Sequence, residues 1–237
     1  MNTRLSSLGW LVLLLPFFCV GLAHAALSSP RADETRNVTG FHAIANSGHI
    51  VVEVRLGDSE SVRLEGDDAA IRQIETVVER GTLKIRFKRQ SQRMNWGKVT
   101  AYVSARQLDE LTQSGSGSIS VLDPIVGKEL NMSLSGSGKI TFESAADVVN
   151  ASISGSGSVS ADGRAGQCNA SISGSGRFDG ADLKTQVANL RVSGSGNMSI
   201  HVDRQLDVSI SGSGNIVYTG DAQTNIQTSG SGKVRKR

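Results

Sequence analysis

Aromatic side chains are scarce, at 4% of the 237 residues, and that is too few to build one thick globular core. Charge of one sign is missing as well. The 25 Lys and Arg stand against 22 Asp and Glu, and a net +3 is too even to imply nucleic-acid binding. Proline occurs three times, and with mixed charge this argues against wholesale disorder. Long apolar runs are absent after Leu8 to Val20, and that run is shorter than the roughly 20 residues a membrane span needs. What is abundant is glycine, with 27 residues. They follow no three-residue period, which excludes collagen, and Ser and Gly recur where a heptad would need apolar side chains.

The first residues read as an export signal. Arg4 supplies a positive start, Leu8 to Val20 the apolar stretch, and Ala23-His24-Ala25 a small-x-small cleavage site. Residues 1–25 are therefore expected to be removed, leaving 26–36 as an N-terminal extension and 37–237 as one continuous domain. Phe17-Phe18 before Cys19 lack the small residues of a lipoprotein signal. The expected product is a soluble exported protein of the periplasm, the extracellular space or the cell surface. Its one cysteine is then Cys168, so an intramolecular disulfide is excluded, and its place in a repeat points to buried packing.

Internal repetition organises the rest of the chain. Ser-Gly-Ser-Gly begins at Ser114, Ser135, Ser154, Ser173, Ser193, Ser211 and Ser229. The flanks exclude a flexible linker. Five residues after each first serine stands an apolar column: Ile119, Ile140, Val159, Phe178, Met198, Ile216 and Val234. One and three residues before it stand two more, such as Leu134 and Met132, with a mostly polar column between them. This alternation is the period of an extended strand.

Four residues before each motif stands Glu110, then Asn131, Asn150, Asn169, Asn189, Asp207 and Asn225. Stacked asparagines can bond one another at the 4.7–4.8 Å strand spacing, and asparagine also tolerates the left-handed backbone of a sharp turn. An asparagine ladder at a fixed corner predicts an all-β, single-stranded parallel β-helix with coils of about 18–21 residues. The glycines either both point inward, or one takes a positive φ at a bend. The second serines, Ser116, Ser137, Ser156, Ser175, Ser195, Ser213 and Ser231, are expected to form an outward row. Residues 37–112 lack the motif but are β-patterned, as in Val51 to Leu56 and Thr82 to Phe87, and predict irregular early coils ahead of the regular ones at 113–237. Asp67 to Gln73 predicts a short helical turn with an acidic cap.

Several stretches together resemble a bacterial family, the putative auto-transporter adhesin head GIN domain. They are Arg36-Asn37-Val38-Thr39-Gly40-Phe41, Thr82-Leu83-Lys84-Ile85, Leu108 to Gly117 and the later SGSG copies. The resemblance covers roughly Arg36 to Val234. It implies a secreted, right-handed, single-stranded β-helix and supplies no catalytic residues.

Catalytic signatures are thin. His42, His49 and His201 show no metal-ligand spacing, and no GxSxG occurs. The glycine-rich motifs lack the GK[ST] and the following helix of a phosphate loop. Asp123, Glu143, Asp162, Asp182, Asp203 and Asp221 recur after the motifs at variable offsets. They read first as turn formers and second as calcium ligands. Trp96, in a polar loop, is the aromatic candidate for ligand contact, with loop anchoring as its other role. The serine rows Ser116, Ser137, Ser156, Ser175, Ser195 and Ser213 are the other candidates, against a plain solvated face. No cofactor is expected. The leading reading is a non-catalytic, adhesin-like surface interaction module for an envelope glycan or surface protein. A self-associating envelope scaffold comes second and a polysaccharide-active enzyme third. The basic residues Lys233, Arg235, Lys236 and Arg237 favour a monomer by blocking the edge of the last coil.

Overall fold

The computed structural model describes residues 31–91 and 96–237. The export signal predicted for residues 1–25 lies outside the described residues. Nearly every element is a strand, and all strands belong to one continuous sheet wound into stacked parallel coils, a β-solenoid of about 7 turns.

The regular coils begin at β8 (Glu110–Gly115) and β9 (Ser118–Val121). They continue through β10 (Ile125–Gly136), β11 (Lys139–Gly155), β12 (Ser158–Gly174), β13 (Arg177–Gly194) and β14 (Asn197–Gly212). The last coil comprises β15 (Asn215–Thr219), β16 (Gln223–Gly230) and β17 (Lys233–Lys236). Successive motifs stack without slippage, so that Ser114 pairs with Ser135, then Ser154, Ser173, Ser193, Ser211 and Ser229. Insertions are absorbed between motifs, as in the register shifts after Ser160 and after Gly180.

The two glycines of each motif have different tasks. The first takes a positive φ, between +102° and +121° across the seven copies, and makes the corner. The second has no positive φ and approaches the neighbouring coil. A Cβ at Gly157 would lie 2.7 Å from both the carbonyl oxygen of Gly138 and the Leu134 side chain. The asparagine column is not at this corner. Arg80 is the one non-glycine with positive φ among the described residues, and the asparagines lie in extended strand. Amide-to-amide bonding across coils needs each side chain above its counterpart, and the unslipped register of these strands provides that.

Inside the stack the apolar columns fuse into one core, from Phe41 to Ile216. A further inward column stands five residues before each of the five middle motifs: Leu130, Val149, Cys168, Ala188 and Leu206, all buried. Burial pushes the Cys168 thiol up to about 12.

The first third of the domain departs from sequential stacking. β2 (Ala43–Gly48) and β3 (Val51–Leu56) form a coil that pairs with β8 and β9 on one side. On its other side it pairs with β6 (Thr82–Phe87) and β7 (Val99–Ala105), which come later in the chain. Antiparallel strands then cover this end. β4 (Ser61–Asp67) pairs with β7 and β5 (Ile74–Glu79) with β6. β1 (Arg31–Arg36) pairs with β4, so the sheet begins six residues before the expected start at 37. Arg36 fastens this cover, donating to the Ile74 and Ile71 carbonyls at 2.8 and 3.2 Å. The expected helical turn is α1 (Asp68–Ile71), capped by Asp67, which accepts from the Ala70 amide at 2.9 Å.

Candidate functional site

The most regular solvent-facing surface is built from the strand that leads into each corner. Inward residues alternate with three outward rows: the asparagines, a row of small polar residues two positions later, and the first serines of the motifs. In the asparagine row Asn150 donates to Asn131 Oδ1 at 2.9 Å. Asn169 donates to Asn150 Oδ1 and Asn189 to Asn169 Oδ1, each at 2.8 Å. All three bonds point the same way along the stack. Asn150 also donates to Glu129 at 2.7 Å, and Gln167 donates to Asn169 Oδ1 at 2.9 Å.

The ladder stops at Asp207. A carboxylate has no N–H to offer the Asn189 oxygen. Asp207 instead accepts from Gln205 at 2.7 Å and from Asn225 at 3.0 Å. At the other end Glu110 holds the ladder position and accepts from Thr112 at 3.2 Å.

Between this amide row and the next row, Ser133, Ser152 and Ser171, runs a trough of about 510 Å³. Its floor is Met132, Ala151 and Ala170, and Arg191 stands where the next coil would supply another serine. Among the described residues, Arg191 and the three serine hydroxyls have no side-chain partner. A smaller groove on the other side of the Ser152, Ser171 and Arg191 row is lined by Ser154, Ser173, Ser193 and Ser211.

The second serines Ser116, Ser137, Ser156, Ser175, Ser195 and Ser213 are exposed at the corner, outside both grooves. Trp96 is far from them. It is half-buried against the core in the segment just before β7, in the coil two removed from that of Ser116. The sequence reading missed the trough itself, whose wall is the polar column at Ser133, Ser152 and Ser171; the signal was that three consecutive small residues precede one Arg there.

Three of the six turn carboxylates have a partner within the fold. Asp123 accepts from the Leu56 amide at 2.9 Å, Asp203 pairs with His201 at 3.0 Å and Asp221 with Lys236 at 3.0 Å. Among the described residues no group of three or more His, Cys, Asp or Glu could hold a metal ion. His201 also meets the Thr219 hydroxyl at 2.9 Å, giving hydroxyl, imidazole and carboxylate in series. Direct pairing of His201 with Thr219 across adjacent strands accounts for that contact as a cross-strand brace. At the covered end Ser47-Gly48 aligns with Ser114-Gly115, a degenerate motif copy in which His49 replaces the second serine. Its ring stacks on Phe87 at 4.9 Å, and its Nε2 is buried without a partner.

Residues 40–222 match the family described as putative auto-transporter adhesin, head GIN domain. The chain belongs to this family. Among solved structures, a putative adhesin from Bacteroides fragilis is similar with a TM-score of 0.84 and 17% identity, over 89% of this chain and 98% of that one. A putative adhesin from Parabacteroides distasonis gives 0.72 and 22%, with the same coverage of 89% and 98%. A putative lipid binding protein from the same organism gives 0.70 and 23%, again over 89% and 98%. These likenesses establish the shared fold. No curated protein matches the GIN-domain chain.

Proposed function

We propose that this GIN-domain protein is an exported, non-catalytic, adhesin-like module of the bacterial envelope that binds through its ladder face. The observation that carries this reading is the trough. It presents unspent hydroxyls, amides and one unpaired guanidinium on a frame whose backbone is locked coil to coil. Rigid presentation of polar groups lowers the ordering cost of binding. The family description and the adhesin names of the similar structures support the same role. Export is supported by the expected signal at residues 1–25, with the periplasm or cell surface as destination. The lipid-binding name of one similar structure makes lipid vesicles a necessary arm of the test.

An array of glycans, envelope polymers and lipid vesicles tests this on the exported protein, beside Ser152→Arg and Trp96→Ala variants. Saturable binding lost in Ser152→Arg is expected. Binding lost only in Trp96→Ala would move the site to the covered end, and no binding to any arm would sink the reading. The second reading, a self-associating scaffold, draws on β16, an edge strand exposed along its whole length. Concentration-dependent assembly in light scattering would favour it.

A further inference from the structure

The trough also constrains what kind of ligand lies in it. Its walls run across the strands, so an occupant lies along the stack axis and meets one amide per coil, with a serine hydroxyl opposite it in the first three coils and Arg191 in the fourth. It spans four coils, those of Asn131, Asn150, Asn169 and Asn189. At the 4.7–4.8 Å strand spacing this is about 14 Å from first to last amide. Both ends are closed chemically, by Glu110 before Asn131, and by Arg191 and the ladder break at Asp207 after Asn189.

Three observations limit the ligand class. The lining has one acid and one base, both at the ends, and this does not suit a polyanion or a polycation. The backbone groups of the lining strands pair with coils on both sides, leaving no edge to which a peptide strand could add. The wall groups are small donors and acceptors together. The three serine hydroxyls have no side-chain partner among the described residues, and Asn169 and Asn189 each spend one N–H of two. Sugar hydroxyls are donors and acceptors in the same way, and an extended β-1,4-linked pyranose chain advances by close to one coil spacing per sugar, with alternate sugars turned over.

We propose that the trough binds a neutral, extended β-linked glycan, laid along the stack with about one sugar per coil over four coils. This rests on the surface-interaction reading above. No aromatic platform lines the trough, so each sugar contributes little and chain length decides affinity.

Calorimetric titration with cello-oligosaccharides and with N-acetylated chito-oligosaccharides of two to six units tests it. Affinity should rise about fivefold per unit, the equivalent of roughly one net hydrogen bond, and level off at four units. Stronger binding of the acetylated series would support acetamide pairing with the amide row; equal binding would support hydroxyl contacts alone. Ser152→Arg should cost more than tenfold. Its fold is safeguarded because Arg191 already occupies the same column one coil beyond Ser171. Ser175→Arg, on the corner row, should change nothing. Arg191→Ser combined with Asp207→Asn, which removes both closures of that end, should move the plateau beyond four units. Affinity independent of length, equal loss in Ser175→Arg, or no binding of either series would overturn the proposal. If the array still gives binding of another polymer, a lipid or a protein that Ser152→Arg abolishes, the interaction reading stands and only the glycan assignment falls.

Discussion

At the level of single residues, the ladder is a chain of amides with one direction, and its members differ in how much they carry. Asn169 donates one bond and accepts two. Asn169→Ala should therefore lower stability by about 1–3 kcal/mol, read from urea unfolding midpoints at unchanged slope. Asp207→Asn supplies the N–H that the Asn189 oxygen lacks and should raise stability by about 1 kcal/mol, because it joins two short ladders into one. A variant no more stable than the parent would show that solvent already serves that oxygen well. Cys168 is a third test. Its thiol is favoured in the neutral form in the folded protein, so its contribution is intact below the unfolded value near 9 and is lost as pH climbs toward about 12. At pH 8 a thiol reagent should leave the native protein unlabelled and label Cys168 on denaturation. Rapid native labelling would contradict its buried position.

The coil is the element of this fold, and its corner was only half legible in sequence. The seven SGSG copies, their apolar columns and the asparagine column gave the coil length and the inward faces. Which glycine bends was undetermined, because both fit an alternating strand equally well until the neighbouring coil is in place. Gly155 is the bend, with φ +110°, and its Cβ would fall 2.7 Å from the Gly136 oxygen. Gly155→Ala should cost about 3 kcal/mol or more, from backbone strain and overpacking together, and a thermal melt reads it directly. The corner position expected for the asparagines was mistaken for a related reason. An asparagine ladder can form at a left-handed turn or along an extended strand, and only the backbone φ separates the two. The N-terminal cover was less legible still. β5 lies at an edge with mostly half-buried residues, so its hydrophobic alternation is weak, and the out-of-order stacking of β6 and β7 on β2 and β3 leaves no local signature.

As a whole molecule, the stack has two unlike ends. Antiparallel strands close the first, while the last coil replaces apolar inward positions with Thr224, Thr228 and Lys236 and leaves Ile226 44% exposed. Polar terminal repeats of this kind limit end-to-end growth at the cost of local stability. Hydrogen exchange should find the β16 and β17 amides opening well before those of β11 to β13, and uniform protection would argue against stability graded along the stack. Between those ends the solenoid offers a long, regular polar face, and the trough is where that face can hold a chain. The most direct test of this account is an NMR titration of the side-chain amide resonances with chitotetraose. It predicts shifts at Asn131, Asn150, Asn169 and Asn189 that saturate together, with Asn225 unmoved. Saturable shifts centred elsewhere, or binding that leaves these four amides unchanged, would contradict it.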